Sequence, residues 1–306
     1  MYVLNFIRGF CMALADSVPG VSGGTIAFIL GFYDEFVISL NNIISKDKIK
    51  RIEGIRFIYK IGIGWISGMI LSILFITSIF EKNIYGISSL FLGFIIASIP
   101  LIVKSEKDTL INNKKDIKLL VLGILIVTSM TYLNSINTSN VVLSLKLESM
   151  NISRYIYVFI SGLIAISAMV LPGISGSTIL LIFGLYAPIL NAIKNVLVLK
   201  FEYLPSIIVF SLGIILGVLI TVRLVRNILK KYRSKSMYII VGLMIGSMYA
   251  VIMGPTSLEI PHPPMNINNI NILAFLIGIT LVPLLEKSKS LLKEKEENTF
   301  DKEELE

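Results

Sequence analysis

The sequence predicts an all-α polytopic membrane protein in which six transmembrane helices and two re-entrant helical hairpins form an inverted-topology repeat. Three observations predict it. The 306 residues are 55% hydrophobic and only 16% charged, with a mean hydropathy of +0.82, a balance suited to helices that face lipid. A helix-breaking motif, PGxSGxT, occurs twice. Its first copy lies in Asp16-Ser17-Val18-Pro19-Gly20-Val21-Ser22-Gly23-Gly24-Thr25, and its second, 153 positions on, in Met169-Val170-Leu171-Pro172-Gly173-Ile174-Ser175-Gly176-Ser177-Thr178. Finally, Lys and Arg gather in alternate loops, as membrane topology requires.

The first motif sits in a hairpin over residues 1–33, whose arms are each too short to cross a hydrocarbon core that needs about 20 apolar residues. Ala13-Leu14-Ala15 imitates a signal-peptide cleavage site. However, Arg8 interrupts the apolar run instead of preceding it, and the second motif copy is internal, so the N-terminus is expected to be retained. Apolar runs then predict spans at 57–80, 84–103 and 117–135, which complete a first repeat over 1–145. A second repeat over 146–286 begins with a hairpin at 154–193 and continues with spans at 205–222, 237–253 and 270–285. The tail, 287–306, alternates Lys and Glu and reads as a solvated cytoplasmic extension.

Loop charge fixes the threading. The segments 46–56, 104–118 and 223–235 hold sixteen Lys and Arg, whereas the remaining short loops hold four. The three basic loops are expected on the cytoplasmic side, as are both termini, in the cell membrane. The second motif region then starts and ends on the external face, which makes it re-entrant. An odd number of crossings per repeat inverts the second repeat relative to the first. Gly64 with Gly217 and Gly93 with Gly246, also 153 apart, extend the repeat beyond the hairpins.

The motif itself carries the chemistry. Pro19-Gly20 and Pro172-Gly173 end one helical arm, and Ser22, Gly23, Gly24, Thr25 and Ser175, Gly176, Ser177, Thr178 start the next. Helix starts present free N–H groups, glycine allows close approach and hydroxyls add donors, so two such ends can cradle an anion. Capping of their own helices by Ser22 and Ser175 is the plainer alternative. Asp16 is an acid within an apolar segment, replaced by Met169 in the second copy. Low dielectric favours a neutral carboxyl, which makes Asp16 a candidate for coupling protons, as H+, to anion binding. Arg8 is its candidate charge partner, and Asp16 has a capping role as the alternative.

Other chemistries find little support. A nucleotide P-loop would need a Gly-Lys-Ser/Thr ending and a preceding strand. One cysteine (Cys11) and one histidine (His262) provide no disulfide and no zinc cluster. No cofactor, no metal and no enzymatic activity are expected. The net charge of +8 follows from the basic loops, so no nucleic-acid partner is expected.

The stretch Ala15 to Tyr33, together with Leu171-Pro172-Gly173-Ile174-Ser175-Gly176-Ser177 and Gly184-Leu185-Tyr186, resembles the DUF368 family of bacterial and archaeal membrane proteins. Its members are polyprenyl-phosphate (undecaprenyl-phosphate) translocases of the PopT type. The resemblance implies a lipid flippase that returns a carrier lipid for cell-envelope synthesis, with membrane lipids and a polyprenyl phosphate as partners and homo-oligomers left open. A secondary transporter of a soluble anion or ion-coupled solute is the alternative reading.

Overall fold

The structure, a computed structural model, describes residues 2–16, 22–72, 77–136, 145–257 and 261–284. Among these, every regular element is helical. The first repeat contains α1 (Tyr2–Asp16), α2 (Gly23–Ile29), α3 (Tyr33–Ile43), α4 (Lys48–Leu71), α5 (Thr77–Ser105), α6 (Lys107–Ile111) and α7 (Ile117–Ile136). The second contains α8 (Ile152–Val170), α9 (Gly176–Ile182), α10 (Tyr186–Leu197), α11 (Leu204–Lys231), α12 (Arg233–Met253) and α13 (Ile272–Leu284). Pro19 and Gly20, expected to break the first arm, lie outside the described residues, as does the tail.

Among the described residues six helices are long and apolar enough to cross a membrane, which makes this a multi-pass membrane protein, but their membership differs from expectation. Ile152–Val170, expected to be one arm of a hairpin, has the length of a span, whereas the described part of the 270–285 segment is the shorter Ile272–Leu284. Helices also run on into the basic loops. Asp47 caps α4 by accepting hydrogen bonds from the amides of Ile49 and Lys50 at 3.0 and 3.4 Å. The helix therefore starts among the charges of 46–56, about six turns before its apolar end. Likewise α11 carries Arg223, Arg226, Lys230 and Lys231 on its own last turns.

Equivalent contacts recur in the two halves of the chain. The elements α2 and α9 are the same seven positions shifted by 153, and Gly31 and Gly184 after them share the left-handed φ of 65° and 64°. Beyond the hairpins the register slips. A Cβ on Gly64 would lie 2.0 Å from the Phe6 carbonyl oxygen, and one on Gly213 would lie 2.2 Å from that of Phe159. Gly68 against Phe10 and Ala13 matches Gly217 against Leu163 and Ile166 in the same way. The structural partner of Gly64 is thus Gly213, 149 positions on, rather than Gly217. Gly93 likewise corresponds to Gly242 rather than Gly246, because Gly93 meets Phe275 and Gly242 meets Leu120. The second copy is four residues shorter ahead of this seam, about one helical turn. A pattern of small residues every four positions hides such a slip from a fixed-offset comparison.

Two kinds of helix pair result. Within each repeat, α1 packs along α4 and α8 along α11; between repeats, α7 packs along α12 and α5 along α13. Contacts advance together along α1 and α4 (Phe6 to Gly64, Phe10 to Gly68), along α8 and α11 (Phe159 to Gly213, Leu163 to Gly217) and along α7 and α12 (Leu120 to Gly242, Ile124 to Gly246), so each of these pairs is parallel. Backbones approach this closely only where side chains are absent. The central core, with Met12, Ile26, Phe32, Ile95 and Met244, fills the space between the pairs.

The seam gives a direct test. A Gly242→Ala methyl would sit 2.1 Å from the Leu120 carbonyl oxygen, whereas nothing lies within 4 Å of a Cβ at Gly62. Gly242→Ala is expected to destabilise the protein by about 1–3 kcal/mol, and Gly62→Ala to be neutral or stabilising by up to about 1 kcal/mol. Thermal unfolding in detergent reads both. Equal effects would contradict the seam.

Candidate functional site

The two breaks touch. Ser22 caps α2 from an extended backbone (φ −130°, ψ 146°), and its hydroxyl accepts the Thr25 amide at 3.2 Å. That bond turns the Thr25 side chain outward from the first turn, where its Oγ1 accepts the Gly173 amide at 2.8 Å. Gly173 has φ +89°, a conformation that glycine adopts without strain. Beside this contact Gly24 lies flat on the end of α8: a Cβ there would be 3.0 to 3.3 Å from the carbonyl oxygens of Met169, Val170 and Leu171. Tyr33 closes the other side, donating its hydroxyl to the Val170 carbonyl at 3.1 Å. Residues of the first copy thus satisfy backbone groups at the start of α2 and at the second break.

The copies differ in how they are filled. Asp16 accepts the Gly23 amide at 2.7 Å through Oδ1 and the Trp65 indole N–H at 2.9 Å through Oδ2. It does not meet Arg8. The two are eight residues apart on one helix, about 12 Å along its axis, and Arg8 instead donates to Asn5 at 2.8 Å, reaches Glu35 at 3.5 Å and lies over the Phe32 ring. In the second copy Met169 holds the equivalent corner, its sulfur near Gly176. Ser175 makes no capping bond to α9, and its hydroxyl meets that of Ser177 at 2.7 Å. A small, shallow cleft opens there, bordered by Gly173, Ser175 and Thr178 and by Met130, Thr131 and Ala250 of the neighbouring helices.

A third cluster links the repeats. Arg233, at the start of α12, donates to Asp34 of α3 at 2.7 Å and binds Glu106 after α5 through two nitrogens. Next to it, Ser234 donates to Asp116 at 2.9 Å and Tyr238 to the Leu110 carbonyl at 2.9 Å. Asp34 follows Tyr33 directly, so one turn of α3 touches both the second break and this ionic cluster.

The expected site residues Ser22, Gly23, Gly24, Thr25, Asp16, Gly173, Ser175, Gly176, Ser177 and Thr178 therefore converge on one junction together with Pro172, which is buried. Arg8 stands apart from it. Trp65, Tyr33 and Thr131 belong to the junction too, and their only sequence signals are a lone tryptophan, a repeated Gly-x-Tyr and a hydroxyl in an apolar span.

Removing the Thr25 hydroxyl leaves the buried Gly173 amide without that acceptor. Thr25→Val is expected to cost about 1–3 kcal/mol, and Thr25→Ser much less. Chemical or thermal unfolding of purified protein checks the difference, and equal losses would contradict the contact between breaks.

Residues 12–289 match the family model described as VCA0040-like, undecaprenyl phosphate translocase-like. The chain is 34% identical over 263 residues to a polyprenyl-phosphate transporter of Vibrio cholerae serotype O1, covering 81% of this chain and 76% of that protein. It is 31% identical over 283 residues to a polyprenyl-phosphate transporter of Staphylococcus aureus, covering 91% and 95%. No solved structure matches it. The matched residues take in both motifs and the ionic cluster, and with these relatives they show that the chain belongs to the undecaprenyl phosphate translocase-like family.

Proposed function

We propose that the protein translocates undecaprenyl phosphate or a related polyprenyl phosphate between the leaflets of the cell membrane, with the phosphate held where the two breaks meet. The observation that carries this reading is the bond from the Gly173 amide to Thr25, which puts the polar groups of both motifs at one point inside an apolar fold. A phosphate at the bilayer centre is prohibitively costly unless polar groups replace its water. The head group can use this junction while the isoprenoid tail stays in lipid.

The same reading makes the repeats inverted and the hairpins re-entrant. With the basic loops cytoplasmic, α4 runs outward and α11 inward. The parallel pairing of α1 with α4 and α8 with α11 then sends α1 in from the cytoplasm and α8 in from outside, and α2–α3 and α9–α10 return each hairpin to its own face. Two hairpins inserted from opposite faces suit alternating access. The cluster of Arg233, Asp34 and Glu106 would then close the cytoplasmic side. The positions equivalent to it on the external side are Ile84, Ala187 and Pro255, none of them charged.

Asp16 and a proton are the coupling pair in this scheme, Asp16 acting beside the phosphate and not through Arg8. Proteoliposomes holding the protein are expected to move polyprenyl phosphate between leaflets. Asp16→Asn is expected to flatten the pH dependence of that movement. Binding of small soluble anions with the lipid left unmoved would favour a soluble-anion transporter, and an unchanged pH profile in Asp16→Asn would return Asp16 to a capping role.

A further inference from the structure

The second repeat serves as an internal control for the first. Both place the same seven-residue helix after the motif's Pro-Gly and the same glycine seam beside it. In the first, the corner between seam and break is the pair Asp16 and Trp65; in the second, the positions equivalent in the packing hold two apolar residues, Met169 beside Gly176 and Ile214 against the cluster of Val158 and Phe210. Forming a break in this fold therefore does not require an acid and an indole.

Their contacts suggest what they add. The Trp65 indole N–H fixes Oδ2 of Asp16, and Oδ1 fixes the Gly23 amide. Two residues further along the same turn, Thr25 takes the Gly173 amide of the other break. A continuous line of hydrogen bonds and one helical turn thus joins α4 to the second break, where Ser175 and Thr178 border the cleft.

Resting on the reading of that junction as the phosphate site, we propose that Trp65 is a positioning residue: acting through Asp16 and the first turn of α2, it sets the position of Thr25 and so the geometry of the second break that holds the phosphate head group.

Trp65 is the single tryptophan of the chain, so its emission reports this line directly. Adding polyprenyl phosphate to the full-length protein in detergent is expected to shift that emission. Thr25→Val, which cuts the line between breaks, is expected to abolish the shift, and Thr25→Ser to keep it. In proteoliposomes, Trp65→Phe keeps the ring and loses the donor, and is expected to raise the half-saturating lipid concentration about tenfold, as the loss of a hydrogen bond to a charged group does. Asp16→Asn is expected to do the same, and the double variant no more than either alone. Independent, multiplying effects of the two substitutions, or lipid transport with no change in Trp65 emission, would overturn the proposal. A wild-type protein that moves no polyprenyl phosphate would refute the proposed function instead, and the emission titration would still decide the role of Trp65: a Thr25-dependent shift supports it and no shift overturns it.

Discussion

A backbone amide that leaves a helix inside an apolar protein must find an acceptor, and in this fold the amide of Gly173 finds it across the repeat, at Thr25. Much of the centre follows from that requirement. Gly24 has to be a glycine because the carbonyls of α8 lie against it, Ser22 has to cap α2 so that Thr25 is presented, and Tyr33 takes the Val170 carbonyl left over at the end of α8. The second break is thus completed by side chains that follow the first. In a hydrocarbon environment an orphaned amide costs several kcal/mol, so this completion favours the arrangement that brings Thr25 to Gly173.

Around the junction, symmetry and asymmetry have separate roles. Glycine seams repeat nearly atom for atom between α1–α4 and α8–α11, and again between α7–α12 and α5–α13. They supply two equivalent halves that close on each other. Three charged or hydrogen-bonded groups, by contrast, have no counterpart at their repeat positions. Asp16 with Trp65, Arg8 over Phe32, and Arg233 with Asp34 and Glu106 belong to the first hairpin and the basic face alone. A transporter whose two faces meet different solutions needs such a difference, and here it is laid over a scaffold that lacks it.

The motifs were legible in the sequence because Pro-Gly followed by Ser, Gly and Thr breaks a helix in an apolar run, and the motif occurs twice. The convergence of the two copies was implied by their residue types, since unpaired amides and hydroxyls need one another. Other features were hidden. The slip from 153 to 149 positions is invisible where glycines recur every four residues. Helix ends that continue past the lipid boundary, as in α4 and α11, follow from caps and helix propensity rather than hydropathy. Asp16 could be recognised as an acid within an apolar segment, but its partner could not: Arg8 is near in sequence, whereas Trp65 is brought in by the α1–α4 seam, 49 residues away.

The central claim is that the phosphate binds where the breaks meet. The most direct measurement is a structure of the protein in lipid nanodiscs saturated with a polyprenyl phosphate. The account predicts phosphate density within about 3 Å, hydrogen-bonding distance, of polar atoms of Ser175, Ser177 or Thr178, with Thr25 and Gly173 beside it. Phosphate held by the basic residues of 223–235, with nothing between the breaks, would contradict it.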